Sequence, residues 1–544
     1  MSDQAGMEGI LRYQPRRKSF RRENPAQRRT VLLFAGLLFL AAVIFTDLFP
    51  FPYFFYRVIF ANPAPEVLPA LREWSGGSGS FTLTDSSRIV IDGAYSSMLA
   101  ETGQVFQNDL AEVVGRRLPV ITAASAGAGD IFLTLHGADR GLGSDGYLFE
   151  VGDTVTIRAN TSKGVFYGTR TALQILRADP EKIAIPKGRA RDYPEYSERG
   201  FMLDVGRKFF SIKFLEDYVR FMAWYKMNDF HIHFNDNAIG GGDSTDWQHQ
   251  YAAFRLYSPR FAGLAAKDGY YTEQDIRELV RLASEYGVTI TPEIDAPAHA
   301  LAFTQYRPDL ASPNYSKEML DLGNPATYSF LYSIWNEFLP WFSTSQVDIG
   351  ADEYALSDAN HYRQFVNTLD DFFKGKGKSV RMWGSLTRLD GNVQVHTDIT
   401  IDVWDNRWAN PVEMVKEGFH IINMNDNLLY IVPKAGYFHD YLDTQFLFEQ
   451  WEPNIFSFSQ PAMNLSPDDP HLLGGMFAEW NDKLGNVVSD TDVHARVKPA
   501  MQTLSEKLWS GTASDVSYQQ FVQLAQVAGD APGTSLPQVP SVQD

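Results

Sequence analysis

Cysteine is absent from all 544 residues. That excludes disulfides, thiolate metal sites, a cysteine nucleophile and a lipid-bearing cysteine. It leaves the compartment open, because an exported protein can do without bridges. Positive charge is also scarce, with 48 Lys and Arg against 66 Asp and Glu, a formal −18. The deficit is uneven: residues 1–30 hold eight bases (Arg12, Arg16, Arg17, Lys18, Arg21, Arg22, Arg28, Arg29) against Asp3, Glu8 and Glu23, a local +5 that leaves −23 for the rest. An acidic body disfavours nucleic acid as a partner and suits a neutral or cationic substrate.

The apolar run over 31–45 is fifteen residues long and broken only by Gly36. About 20 residues are needed to cross a bilayer, so a span here takes in interfacial flanks and covers 31–49. Phe49, Phe51, Tyr53, Phe54, Phe55 and Tyr56 follow it as an interfacial aromatic belt. By the positive-inside rule, residues 1–30 form a basic cytoplasmic tail, 31–49 a transmembrane signal anchor, and everything beyond lies on the extracytoplasmic side. A single-pass membrane protein is expected. A cleavable signal peptide competes with this reading, but its basic region would be unusually long and no Ala-x-Ala follows the apolar run. A buried helix of a soluble protein is a further alternative.

Hydrophobic residues make up 44% and aromatics 14%, with 11 Trp, 25 Tyr and 38 Phe, which fits a globular body of two folded domains with apolar clefts. Residues 63–190 read as a smaller α/β domain. Strands are expected at 81–91 and 130–135 and within 147–159, with helices over 98–118 and from 164 onward; 186–194 reads as a linker. Nothing in this stretch looks catalytic by itself. From 196 to 510, strands at 200–204, 229–234, 288–293, 346–349, 380–383, 400–404, 419–423 and 474–479 alternate with helices such as 213–226, 272–286 and 330–342. That pattern predicts a (β/α)8 TIM barrel, whose functional residues collect at the carboxyl ends of the strands. The tail 511–544 starts with a helix over 518–527 and turns Gly-, Pro- and Ser-rich, which predicts a disordered end.

Polar residues cluster at those strand ends: Asp204 and Arg207, Asp236, Asp295 and His299, then Asp352 and Glu353. The last two stand in Ile349-Gly-Ala-Asp-Glu353. Neighbouring strand residues face opposite ways, so both acids serve one pocket only where the strand ends and the backbone bends, as Gly350-Ala351 permits. A solvated acidic turn is the plain alternative for such a pair.

Four ordered motifs decide between them: Arg199-Gly-Phe-Met-Leu-Asp-Val-Gly-Arg207, Lys226-Met-Asn-Asp-Phe-His-Ile-His233, Pro292-Glu-Ile-Asp-Ala-Pro-Ala-His299 and the acidic pair itself. In this order they resemble the β-N-acetylhexosaminidases of glycoside hydrolase family 20, over roughly 70–510, and the preceding domain looks like the smaller domain these enzymes carry. The resemblance implies substrate-assisted hydrolysis of a β-linked N-acetylhexosamine, with the substrate's acetamide as nucleophile. Asp352 matches the acid that orients and charge-stabilises that group, and Glu353 the general acid, whose role calls for a raised pKa. His299 and Asp236 match a polar network behind the acid, with a purely structural buried pair as the alternative. Arg207 matches the guanidinium that holds the outer hydroxyls. Trp383, Trp404 and Trp480 match the pocket wall, Tyr430 the hydroxyl on the acetamide oxygen, and Asp482 an acid on the outer hydroxyls.

The chain departs from the family pattern at Asp348, where many members have His, and at Ala298, Asn237 and Val432. The last two lie where hydroxyls are recognised, and the Tyr-Ile-Val-Pro and Trp-Asn-Asp variants look more like bacterial dispersin-like and lacto-N-biosidase-like branches. No cofactor or metal is implied; the partner is an oligosaccharide or polysaccharide. Two rivals are a metal-dependent barrel hydrolase built on His231, His233, His299 and Asp352, and a membrane-tethered glycan-binding protein that has lost catalysis.

Overall fold

The computed structural model describes residues 61–542, apart from 138, 485–486 and 512–515. The expected basic tail and membrane anchor lie outside the described residues; among those described, no helix is long and apolar enough to cross a membrane.

The first domain is a seven-stranded mixed sheet of β1 (Glu73–Thr82), β2 (Ile89–Asp92), β3 (Val120–Ala123), β4 (Ile131–Thr134), β5 (Tyr147–Val151), β6 (Val155–Ala159) and β7 (Ala184–Asp192), in the order β1-β7-β5-β6-β4-β2-β3. Helices Ser96–Val114 and Ser162–Ala178 pack on it. Two sequence expectations fail here. The single strand read over 81–91 is two strands, because Ser87 N–H closes a turn onto the Thr84 carbonyl (3.1 Å) between them. The linker read over 186–194 is mostly β7, paired on both sides with β1 and β5. Proline is rare inside sheets. Pro186 is tolerated beside an irregularity in the β1 register between Gly76 and Ser80.

The second domain is the expected barrel. Strands β8 (Glu198–Asp204) and β9 (Asp229–His233) are followed by a short antiparallel pair, β10 (Asn235–Asn237) and β11 (Ala252–Phe254), and then by β12 (Thr289–Ala296), β13 (Gln346–Gly350), β14 (Ser379–Trp383), β15 (Thr400–Val403), β16 (His420–Asn423), β17 (Tyr430–Ile431) and β18 (Leu472–Glu479). Strands β8, β9, β12 to β16 and β18 run parallel, and the ring closes through β16–β18 and β18–β8. Strand alternation sorts the side chains. Phe201 and Phe230 face outward and stack with Tyr218 of helix Ile212–Trp224. Met202, Trp383, Ile422, Met476 and Ala478 form a separate apolar cluster inside. Among them stands a buried charged set in which Arg381 donates to Asp402 (2.7 Å), Asp229 (2.5 Å) and His231 Nδ1 (3.0 Å).

The two domains are joined by buried polar contacts: Lys226 Nζ to Asp192 (2.9 Å), Arg199 to Asp145 (2.7 Å) and Trp509 Nε1 to Asp192 (3.0 Å). Lys226 and Arg199 flank the amino ends of β9 and β8, so these joins lie away from the strand carboxyl ends. The tail also departs from expectation. After helix Tyr518–Ala528, residues 529–542 run as an ordered strap, with Leu536 and Val542 buried. Its backbone is held by side chains of the body: Glu112 accepts from Gly533 N–H (2.8 Å), Asp217 from Ser535 N–H (3.1 Å) and Gln502 from Val542 N–H (3.3 Å), while Tyr225 donates to the Gly529 carbonyl (2.5 Å). Composition marked this stretch as Gly-, Pro- and Ser-rich, but a few buried anchors and these side-chain-to-backbone bonds hold it in place.

Candidate active site

Strand β13 ends at Gly350, and the chain then bends through three left-handed residues, Gly350 (φ 70°), Ala351 (φ 70°) and Glu353 (φ 49°). Such conformations are costly for non-glycine residues and persist where the surroundings hold them. The bend turns both acids to one side. Asp352 Oδ2 lies 3.7 Å and Glu353 Oε2 3.6 Å from the same atom, His299 Nε2. Both acids line a cavity of about 240 Å3 at the strand carboxyl ends, together with Arg207, Asp236, His299, Trp404, Tyr430, Trp480 and Asp482. His299 also has positive φ (50°).

A relay of alternating charges runs inward from the pair. His299 Nδ1 meets Asp236 Oδ1 (3.1 Å), Asp236 Oδ2 meets His233 Nε2 (2.7 Å), and Glu293 Oε2 lies 2.7 Å from His233 Nδ1 and 2.8 Å from His231 Nε2. Arg207, 4% exposed, sits 2.7 Å from Asp236, 3.2 Å from Asp204 and 3.6 Å from Asp482. Burial alone would discharge these groups, but the partners outweigh it. Against desolvation, Arg207 holds the Asp236 carboxyl well below its usual range, and the Asp352 and Asp236 carboxylates raise the His299 imidazole well above its own.

The two candidate catalytic acids depart from the sequence expectation. Burial pushes Asp352 up to about 6, the neighbouring His299 opposing and Glu353 reinforcing the shift. Glu353 is instead lowered, chiefly by its interaction with His299. The raised pKa expected of Glu353 therefore belongs to its neighbour. The physical reason is that His299 outweighs burial at Glu353, whose side chain is 49% exposed, whereas burial outweighs His299 at Asp352, 15% exposed.

The indole walls divide into two layers. Trp480 faces the cavity and meets His233 edge-on (5.0 Å), with Tyr430 at 5.7 Å. Trp404 donates Nε1–H to the Gly384 carbonyl (3.0 Å) and lines the cavity as well. Trp383, expected in the wall, is not among the lining residues. It is 1% exposed, stacks on His231 (5.6 Å), stands 5.6 Å from Trp480 and donates to Glu293 (2.8 Å). Its indole N–H needs a buried acceptor, which Glu293 offers only below the floor.

At the outer end, Asp482 Oδ2 accepts from Tyr437 (2.7 Å). Tyr437, Phe438 and Ile239 at the cavity were missed by the sequence reading; the aromatic pair just after Tyr430 was the available signal. Val432 is an apolar part of the lining, and Asn237 is structural, donating to Glu318 (2.8 Å) while its carbonyl accepts from Arg207 Nε (3.0 Å). Among the described residues the histidines of the rival metal reading fall into separate groups, His231 with Glu293 and Asp348, His233 with Glu293 and Asp295, and His299 with Asp295 and Asp352. Arg381 donates to His231 Nδ1, which leaves Nε2–H for Glu293, and His233 is spent between Asp236 and Glu293.

Residues 196–512 match the model of the glycosyl hydrolase family 20 catalytic domain, and residues 64–193 that of the family's domain 2. The chain belongs to glycosyl hydrolase family 20. Family relatives include the lacto-N-biosidase of Bifidobacterium bifidum, 24% identical over 474 residues that cover 82% of this chain and 40% of that protein. The β-hexosaminidase subunit A2 of Dictyostelium discoideum is 27% identical over 406 residues, covering 69% and 70%. The chain thus spans less than half of the first relative and about two thirds of the second. Among solved structures, a mutant Streptomyces plicatus β-hexosaminidase in complex with product (GlcNAc) superposes with a TM-score of 0.72 at 23% identity, covering 89% of this chain and 99% of that one. The family 20 β-N-acetylhexosaminidase of Streptomyces coelicolor gives 0.70 at 23%, covering 89% and 100%. These likenesses establish the fold.

Proposed function

We propose that this family 20 chain is a retaining exo-β-N-acetylhexosaminidase that removes terminal GlcNAc or GalNAc from glycans through an oxazolinium intermediate. The observation that carries this reading is the convergence of Asp352 and Glu353 on His299 at one indole-lined cavity. Glu353 protonates the glycosidic oxygen as the acetamide oxygen attacks the anomeric carbon and the C–O bond breaks. Asp352 accepts from the acetamide N–H and balances the positive ring, and Tyr430 donates to the acetamide oxygen. Glu353 then takes a proton from the water that opens the ring, which gives net retention. With carbons 1 and 2 of the sugar at the acids, the outer hydroxyls reach Arg207 and Asp482.

Substrate itself corrects the proton affinities. A leaving sugar covers half-exposed Glu353 and raises it by desolvation, while the donated N–H lowers Asp352. Trp404, Trp480 and Tyr430 sheathe the acetamide and exclude bulk water, with Trp383 backing the wall. His299 and Asp236 act through Glu353 and Asp352 as positioning residues.

A second reading, release of a disaccharide or internal unit, is favoured by apolar Val432 in the lining and by the likeness to a lacto-N-biosidase. A panel of aryl N-acetyl-β-glucosaminide, N-acetyl-β-galactosaminide and lacto-N-bioside substrates separates the two, with chelator controls and product stereochemistry by NMR. Turnover of monosaccharide glycosides with β product, unaffected by chelator, is expected. Turnover of the disaccharide glycoside alone would refute the exo assignment.

For location, the basic 1–30 and apolar 31–49 segments support a single-pass protein with its catalytic body outside the cytoplasm. Protease accessibility of the body in spheroplasts tests this.

A further inference from the structure

The bend that delivers the two acids needs its own explanation, since a chain does not place three residues of four in left-handed conformations without help. Strand β12 pairs Glu293 with Asp348 and then Ala296 with Gly350, so three steps on one strand face two on the other. Ladder pairing is thereby interrupted where β13 ends, and the freed backbone groups need other partners. Asp348 Oδ1 takes the Gly350 N–H (2.7 Å) and Asp295 Oδ1 takes the Ala351 N–H (3.1 Å). The Ala351 carbonyl accepts from Tyr362 (2.6 Å).

Of these three holds, Asp348 is the one placed on the catalytic strand itself. It is fully buried and outside the cavity lining. Its second oxygen makes no hydrogen bond and lies 3.5 Å from Arg381 Nε and 3.9 Å from His231 Nε2. Keeping a carboxyl there, beside Glu293 and Asp402, is unfavourable; burial and those neighbours push its proton affinity well up. An apolar side chain would avoid that cost but could not accept the Gly350 N–H.

We propose that Asp348 is a positioning residue for the catalytic pair, its buried side chain holding the Gly350 N–H and with it the left-handed bend from which Asp352 and Glu353 reach the cavity. The inference rests on the hydrolase reading above for its consequence in turnover, and on geometry alone for the bend. A displacement of about 1 Å suffices to cost on the order of 100-fold in rate.

The test compares Asp348→Ala, Asp348→Asn and Tyr362→Phe in the full chain, on aryl N-acetyl-β-glucosaminides with good and poor leaving groups, alongside crystal structures of each. Asparagine keeps the accepting oxygen and alanine removes it. Asp348→Ala is expected to lower kcat by about 10- to 100-fold, with KM within about threefold and the larger loss on the poor leaving group. Asp348→Asn should keep at least about a third of wild-type kcat. The alanine crystal structure should show residues 350–353 displaced, with Arg207 and Trp480 unmoved. An alanine variant with wild-type kcat, an asparagine variant as poor as alanine, or an unmoved bend would each overturn the proposal. Should Asp348→Ala not fold, Tyr362→Phe is expected to show the same leaving-group signature through the next peptide group, and wild-type kinetics there count against the clamp. If wild-type protein turns over no N-acetylhexosaminide, the hydrolase reading fails, and the crystal structures still decide the bend.

Discussion

At Gly350 a Cβ would stand 1.7 Å from Asp295 Oδ1, with φ already at +70°. Both space and conformation forbid a side chain there. Gly350→Ala should therefore destabilise the protein by about 3 kcal/mol or more and inactivate it, as read by chemical denaturation and turnover. Two residues on, Asp352 must be ionised to face a developing positive charge. With its carboxyl raised to about 6, it takes up a proton as pH falls through that value. The free enzyme should consequently show the Asp352 carboxyl titrating near pH 6, read by infrared difference spectroscopy against pH, and that contribution should be missing in Asp352→Asn. Glu353→Gln should lose about 100-fold or more in kcat on poor leaving groups and much less on activated aryl ones, in parallel steady-state assays. That Arg207, His299, Asp352 and Glu353 gather at one cavity was legible because the motifs keep their order; the place of Trp383 behind the wall, and Tyr437, Phe438 and Ile239, were not. Proton affinities were not, because they depend on neighbours and cover: nothing in Asp352-Glu353 says that His299 outweighs burial at the second and burial outweighs His299 at the first.

Among the elements, the eight barrel strands were legible to within a few residues, since short apolar runs between turn residues are what buried parallel strands require. Pro186 misled because its tolerance depends on an irregularity in the facing strand, β1, some hundred residues earlier in the chain. The loop after β17 was equally opaque. It is pinned by Val432 N–H to the His439 carbonyl (2.8 Å) and by Asp440, which accepts from Lys434 N–H (2.9 Å) and Arg496 (2.9 Å), and it brings Tyr437 to Asp482. Loosening it should disturb hold on the outer hydroxyls more than bond cleavage. Asp440→Ala is expected to raise KM several-fold with kcat changed less than about threefold, a split that steady-state kinetics resolves.

For the whole molecule, the strap at 529–542 links parts far apart in sequence. It reaches Glu112 in the first domain, Asp217 and Tyr225 in the first barrel helix and its exit, and Gln502 in the last long helix. Burial of Leu536 and Val542 contributes about 1.5–3 kcal/mol each, offset in part by the order imposed on the backbone. Truncation after residue 528 should lower the thermal midpoint by several degrees, measured by calorimetry, while leaving KM for a small glycoside unchanged. Composition hid this segment because its stability comes from acceptors and donors on remote helices.

Because the strap closes over surfaces laid down some three hundred to four hundred residues earlier, a growing polypeptide leaves Asp217, Tyr225 and Glu112 without these partners until residues 529–542 have left the ribosome. A barrel synthesised as far as residue 528 and still without this segment is a species a chaperone would meet.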